Sequence, residues 1–470
     1  MIINKVCDTV WLIIMFLETV RSPGLAHLSY VVGDGKLAAV VDPRLDAEVY
    51  VERAAAQGAR IVLIFETHRN EDIVSGASAL AARTGARVLH GTALDFAYGE
   101  GAEHAREERI GDLRLRVLHT PGHTDESISI AVFDENQPDG AVGVFTGDAL
   151  FVGDVGRTDF YPDRAEEVAG LLYDSLFDVL LPLGDQALIW PAHGAGSVCG
   201  DGMADRNHST IGHERKNNPR LQLSREEFVQ AKVEEHHVKP PYFKEMERLN
   251  ERGADGPAHV PRPPALSVDD FANAVETGAL VVDVRSAEAF AGCAVPESLA
   301  LPVGLLSGYA GWFLPYDRPL ALIGEDDEQV QEAAVRLMRM GFQSFAGHLA
   351  GGLGAWVTSG RPLQSIPAVG AGELLRRLGG DAPPVVLDVR KESEWLEGHL
   401  PAARHAFLGR LTDQGELSAL PGPLVTFCAS GQRALVAASI LRRAGRDDVE
   451  VCFGSMQACE ALGCELEGGA

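Results

Sequence analysis

An α/β multidomain chain of about three domains is what the sequence predicts, and three observations predict it. At 470 residues the chain is too long for one ordinary core. Its first half alternates short β-rich runs with a few helical stretches. Its second half states one strand-and-helix pattern twice, about one hundred residues apart.

The bulk composition narrows the class of protein. A hydrophobic fraction of 46% and a charged fraction of 23% are those of a soluble globular chain, so a cytoplasmic protein is expected. The formal net charge of −26 argues against a nucleic-acid or anionic-membrane partner, which would repel it at long range. Seven cysteines, at 7, 199, 293, 428, 452, 459 and 464, are odd in number and lack a disulfide-like spacing. They suit a reducing compartment with one or two functional thiols. The apolar run at 10–17 is too short to cross a bilayer and has no small-residue cleavage site after it. The folded chain is expected to begin near Met15, with residues 1–14 an extension.

From 15 to 257 lies the first expected domain. LSYVVGD, KLAAVVDP, ARIVLIFETH, ARVLHG, LRLRVLHT, SISIAVFD and AVGVFTGD read as strands, most ending next to Gly, Asp or His, where a loop can carry ligands. Helical patterns intervene at 46–57, 71–84 and 163–180, which implies layered sheets with helices outside. Residues 223–256 are charged and helix-prone, and a Pro-rich break follows at 258–265. LVVDVRSAEAF (280–290) recurs as VVLDVRKESEW (385–395), and PLALIGEDDEQVQEAAVRLMRMGF (319–342) as PLVTFCASGQRALVAASILRRAGR (423–446). Two copies of one parallel α/β domain are therefore expected, at 266–360 and 368–466, joined by RPLQSIPA (361–368).

Three segments of the first domain end a strand in a metal-ligand type: ETHRNEDIVSG (66–76), HTPGHTDESI (119–128) and FTGDALF (145–151). His68, His123 and Asp148 would supply two imidazoles and one carboxylate, a set that suits a divalent first-row metal and, with open positions, Fe(II) and O₂. Singly, each is more often a polar cap or a turn residue; their joint occurrence in this order is the signal.

These segments, with GRTDF (156–160) and PAHG (191–194), resemble the successive motifs of the metallo-β-lactamase superfamily over roughly 15–230. The resemblance implies an αββα sandwich. Glyoxalase-type members carry T-H-x-H-x-D-H and hold two zinc ions; here His68 and Asp72 remain, but Asn70 and Ile73 replace the other histidines. The persulfide dioxygenase branch uses the three positions of His68, His123 and Asp148 for one iron. The resemblance therefore implies Fe(II), one per chain, with His193 of PAHG and Asp72 as nearby polar groups. It also assigns Arg157 and Arg215 to contact with a thiol substrate; the guanidinium fork suits glutathione carboxylates or coenzyme A phosphates. For both arginines a surface salt bridge is the alternative. Cys199, six residues after His193, reads either as a persulfide relay or as a structural thiol.

Cys428 opens the loop CASGQR (428–433) between the apolar run LVTF and a helical run. Backbone N–H groups and a helix N-terminus stabilise a thiolate, and Arg433 adds positive charge. The loop, together with DVRKESEWLEGHLPAA (388–403), resembles the rhodanese family, whose thiolate carries sulfane sulfur as a persulfide. Asp388, Arg390 and His399 read as fold-fixing residues. In the first copy Gly324 aligns with Cys428, and Glu325, Asp326 and Asp327 would repel an anion, so that copy reads as a catalytically silent spacer or docking domain.

The expected activity is oxidation of a low-molecular-weight persulfide by O₂ to sulfite, coupled through Cys428 to thiosulfate formation or use. Two rivals stand beside it: a dinuclear zinc thioester hydrolase with appended rhodanese domains, and a non-enzymatic sulfur-carrier scaffold. The thiol carrier, the direction of sulfur transfer and a homo-oligomeric state stay open.

Overall fold

The computed structural model describes residues 15–136, 139–197, 202–206, 208–235, 237–254, 260–413, 420 and 422–468. Residues 1–14 and Cys199, for which an extension and a relay or structural thiol were expected, lie outside the described residues. The chain divides into two compact units, residues 1–239 with 243–259, and 240–242 with 260–470.

The first unit is an αββα sandwich. One six-stranded sheet runs β1 (Phe16–Ser22), β2 (His27–Gly33), β3 (Leu37–Val41), β4 (Arg60–Phe65), β5 (Arg87–His90) and β6 (Glu100–Gly101) in spatial order. The other runs β12 (Ser209–Thr210), β11 (Leu188–Pro191), β10 (Gly143–Gly147), β9 (Ile128–Asp134), β8 (Leu113–His119) and β7 (Glu107–Ile110). Alternation along the strands decides the layers. Tyr30, Val32, Phe65, Leu115, Val117, Ile130 and Phe145 meet in the core between the sheets. Val31, Val40 and Ile64 face outward onto α1 (Glu48–Ala56) and α2 (Ala77–Thr84). On the other side Val144 and Ile189 meet Leu172 of α3 (Ala165–Asp174), while α4 (Ile211–Asn217), α5 (Arg225–Glu234) and α6 (Phe243–Arg252) complete the unit.

One expectation needs correction. The helical pattern at 71–84 forms a helix only from Ala77; 71–76 is a loop. Asn250 of α6 explains it. Its Oδ1 accepts from Ser75 N at 2.8 Å, and its Nδ2 donates to Asn70 O and Ile73 O at 2.7 and 2.8 Å. A distant side chain thus satisfies backbone groups that a helix would otherwise pair.

The second unit contains the repeat twice. The first copy has β13 (Ala265–Leu266), α7 (Val268–Glu276), β14 (Leu280–Asp283), α8 (Ala287–Gly292), β15 (Leu299–Ala300), α9 (Val303–Phe313), β16 (Leu320–Ile323), α10 (Asp327–Arg339), β17 (Phe345–Leu349) and α11 (Gly352–Thr358). The other has β18 (Ala368–Gly370), α12 (Ala371–Leu378), β19 (Val385–Asp388), α13 (Glu392–Glu397), β20 (Ala403–His405), β21 (Leu424–Phe427), α14 (Gln432–Arg443), β22 (Val449–Phe453) and α15 (Ser455–Leu462). The parallel sheets have the same order, β13-β17-β16-β14-β15 and β18-β22-β21-β19-β20. In each, a buried Asp–Arg pair closes on itself, and the Arg donates onward to a backbone carbonyl: Asp283–Arg285 to Cys293 O, Asp388–Arg390 to Gly398 O.

Candidate functional site

His68 follows β4, His123 lies in the loop after β8, and Asp148 follows β10. All three come from strand ends at one edge of the sandwich, and all are buried. A register shift at the end of β10 turns the chain there. Gly147 has φ 53°, and a Cβ on it would lie 2.7 Å from Thr67 Oγ1, so only glycine lets the Asp148 turn approach the His68 loop.

The hydrogen bonds fix which atoms face the centre. Thr67 Oγ1 donates its one proton to Asp42 Oδ2 at 2.8 Å, so it accepts from the Nδ1–H of His68 at 2.9 Å. His123 Nδ1–H donates to the carbonyl of Arg157 at 3.0 Å. Both Nε2 atoms therefore carry a lone pair, and neither has a hydrogen-bond partner. Asp148 Oδ2 is likewise unpartnered, 3.7 Å from His68 Nε2 and 3.5 Å from His123 Nε2. Such separations are too long for hydrogen bonds, yet each is less than twice a metal–ligand bond of about 2.1 Å. Buried lone pairs that converge without partners fit a divalent cation.

Glu71 joins this group and was not among the expected ligands. Its Oε2 is 3.6 Å from His123 Nε2, both its oxygens are buried without a hydrogen bond, Oε1 lies 3.9 Å from Arg69 Nη2, and donor atoms of His68, Glu71 and His123 lie within 4.8 Å of one another. Burial pushes its carboxyl up. An acidic residue one position after Asn70, where the second histidine is missing, was the available signal.

Asp72 and His193 are turned differently. His193 Nδ1 is 2.7 Å from Asp148 Oδ1, and its Nε2 is 3.2 Å from Asp72 Oδ1. Both ring nitrogens face carboxylates, so the ring donates twice and holds Asp148 by one oxygen. Burial alone would raise the Asp148 carboxyl, but the doubly donating His193 ring holds it far below the ordinary range.

The two expected substrate arginines are both engaged. Arg157 is 1% exposed, with Nε and Nη2 forked on Asp159 at 2.7 and 2.8 Å and its guanidinium over Phe160. Phe160 also stands edge-on to His123, ring centroids 5.3 Å apart. The exposed Arg215, on α4, bonds Asp185 Oδ1 at 3.0 Å and Leu181 O at 2.8 Å.

The sulfur loop occupies the matching place in both repeats, after β16 and after β21. Cys428 is buried, and its Sγ accepts from Gly431 N–H at 3.1 Å. Its own N–H donates to Ser455 Oγ at 3.2 Å. Gly431, at φ 110°, is the N-cap of α14, which sets the helix N-terminus beside the sulfur. Arg433 was expected as an added positive charge; that charge is shared, because both terminal nitrogens fork on Glu394 at 2.6 and 2.7 Å. In the first copy Gly324 has no space for a side chain: a Cβ would lie 2.8 Å from Val330 Cγ2. Burial pushes Cys452 up to about 11 and Cys459 up to about 12, which leaves both thiols protonated near neutral pH.

Residues 22–193 match the metallo-beta-lactamase superfamily model, and 267–359 and 370–461 each match the rhodanese-like domain. The chain joins a metallo-beta-lactamase domain to two rhodanese-like domains. The first domain is 28% identical over 225 residues to the mitochondrial persulfide dioxygenase ETHE1 of Mus musculus, covering 46% of this chain and 80% of the relative. Hydroxyacylglutathione hydrolase GloC of Haemophilus influenzae is 28% identical over 217 residues, covering 42% of this chain and 92% of that protein. A metallo-beta-lactamase crystal structure from Staphylococcus aureus, 29% identical, superposes with a TM-score of 0.64 and covers 71% of this chain and 98% of its own. Among the described residues no helix is long and apolar enough to cross a membrane.

Proposed function

We propose that the first domain oxidises a low-molecular-weight persulfide, such as glutathione persulfide, with O₂ at one Fe(II), and that Cys428 moves sulfane sulfur. The observation that carries this reading is the set of converging buried atoms without hydrogen-bond partners, His68 Nε2, His123 Nε2 and Asp148 Oδ2. Ile73 has no donor atom. His193 has both nitrogens on carboxylates and no lone pair left for a second ion. The likeness to persulfide dioxygenases adds support.

His68, His123 and Asp148 would hold the Fe(II), which would supply activation of O₂. The chain's own residues supply geometry. Thr67 and the Arg157 carbonyl hold the two imidazoles, His193 holds Asp148, and Phe160 puts an apolar ring against His123. The net change is RSSH + O₂ + H₂O → RSH + SO₃²⁻ + 2 H⁺: the S–S bond breaks, the outer sulfur is oxidised and O₂ is reduced. At the second site the Cys428 thiolate attacks a sulfane sulfur, the donor S–S bond breaks, and sulfite or a thiolate leaves. Concentrations set the direction, so thiosulfate is either made or used. The five free cysteines among the described residues suit a reducing compartment such as the cytoplasm.

Iron analysis after anaerobic reconstitution, with an oxygen electrode and glutathione persulfide, tests the reading. One iron per chain and oxygen uptake are expected. Two zinc ions per chain with thioester hydrolysis would replace it with a glyoxalase-type hydrolase.

A further inference from the structure

The loop that carries His68 also carries a carboxylate that the fold itself does not use. Glu71 is 1% exposed, and neither of its oxygens accepts a hydrogen bond. The guanidinium beside it is engaged elsewhere. Arg69 Nη1 donates to Glu251 Oε1 at 2.6 Å, and Nη2 lies 3.6 Å from Glu247 Oε1, against 3.9 Å from Glu71 Oε1. A carboxylate shut off from water without hydrogen bonds is costly unless a proton or a cation meets it. The loop nevertheless holds Glu71 in place. Asn250 of α6 donates to Asn70 O and Ile73 O and accepts from Ser75 N, and Glu126 Oε1 accepts from Arg69 N at 2.9 Å. Backbone groups are thus fixed on both sides of the residue.

The next residue, Asp72, turns to His193 Nε2, whereas Glu71 turns to His123 Nε2 at 3.6 Å. That nitrogen carries a lone pair, because Nδ1–H is the donor to Arg157 O, and the separation is too long for a hydrogen bond. Donor atoms of His68, Glu71 and His123 lie within 4.8 Å of one another. Two metal–ligand bonds of about 2.1 Å span about 4.2 Å, so one ion reaches all three after a small rotation of the flexible glutamate. We propose that Glu71 is a fourth protein ligand of the single metal ion, beside His68, His123 and Asp148. The inference rests on the one-iron reading of this site and deepens it. Two carboxylates and two neutral imidazoles cancel the charge of a divalent ion. Such a set should hold Fe(II) more tightly than three ligands, favour the ferric over the ferrous state, and leave one position fewer for O₂ and substrate. It also returns, as a carboxylate, a donor lost where Asn70 stands in place of a histidine.

Glu71→Gln keeps the size of the side chain and removes its charge. In anaerobic competition with a chelator, Fe(II) affinity should fall about 100-fold or more, beyond the roughly 10- to 100-fold typical when only a partner of a ligand is lost. The ferric/ferrous midpoint potential should shift upward. Without metal, Tm should be equal to that of the unmutated chain or higher, because no buried carboxylate is left stranded. An unchanged affinity overturns the inference. So does an affinity loss with an unmoved potential and a lower metal-free Tm, which assigns Glu71 to holding the loop. A crystal structure of the iron-loaded, unmutated full chain decides without a variant: a Glu71 oxygen within about 2.5 Å of the ion supports the inference, and both oxygens farther away overturn it. If the unmutated chain bound no iron, or His123→Ala kept its iron affinity, the one-iron reading itself would fail, which is a separate result.

Discussion

The backbone carbonyl of Arg157 accepts from the Nδ1–H of His123 at 3.0 Å, while the side chain of the same arginine is locked on Asp159. One residue thus orients a candidate ligand through its main chain, and its side chain fixes where that main chain lies. Arg157→Ala removes one partner of a largely buried pair, a change that costs about 3 kcal/mol or more. The expected result is a lower Tm and less iron retained per chain, read by thermal unfolding and metal analysis. Should both stay unchanged while only KM for the persulfide rises, Arg157 is a substrate contact, as the resemblance implied.

Thr67 makes the corresponding link on the other imidazole, between Asp42 and His68. Burial pushes Asp42 up to about 7, against the hydrogen bonds from Thr67 that favour its charged form. Thr67→Val keeps the shape and removes the hydroxyl, so nothing then holds the His68 tautomer. Iron affinity should fall about 10- to 100-fold in competition with a chelator. An unaltered affinity means that His68 is held by its packing alone.

Much of this architecture was legible because its signals are local. The duplicated DVR and PL segments lead to two sheets of one strand order, and alternating apolar residues place β2, β4 and β9 between the layers. What escaped depends on distance along the chain. The loop at 71–76 reads as helix until Asn250, from a helix more than 170 residues later, takes over its backbone groups. Glu71 sits outside the motif positions and gains meaning only once His123 is beside it.

Acid should also destabilise a cluster apart from the metal centre. Burial would raise the Glu235 carboxyl, but His237, Lys232 and Arg220 hold it down at about 2. A depressed carboxyl contributes stability that is present above its unfolded value of about 4.3 and is lost as pH falls through about 2. At pH 7 Glu235→Gln leaves the buried Lys232 without its anionic partner and should lower Tm. Melting curves from pH 7 to pH 2 should show the gap from the unmutated chain closing below about pH 4. A gap independent of pH would mean that the loss is one of packing.

Cys428→Ser separates the two chemistries, because the nucleophile and the candidate iron ligands lie in different compact units. Serine fills the site without strain, and the loop N–H of Gly431 still has an acceptor. Its hydroxyl is not ionised near neutral pH and cannot carry sulfane sulfur. Oxygen uptake with glutathione persulfide should persist, and the product should shift from thiosulfate toward sulfite. The first copy cannot substitute. Gly324 lacks a side chain, and Gly324→Cys in the Cys428→Ser background would force a Cβ to within 2.8 Å of Val330 beside Glu325 and Asp326, so no sulfur transfer should return. Transfer that survived in Cys428→Ser would assign the sulfur to another thiol; alkylation of that variant followed by mass spectrometry would identify which cysteine carries it, and the division of labour between the domains would have to be redrawn.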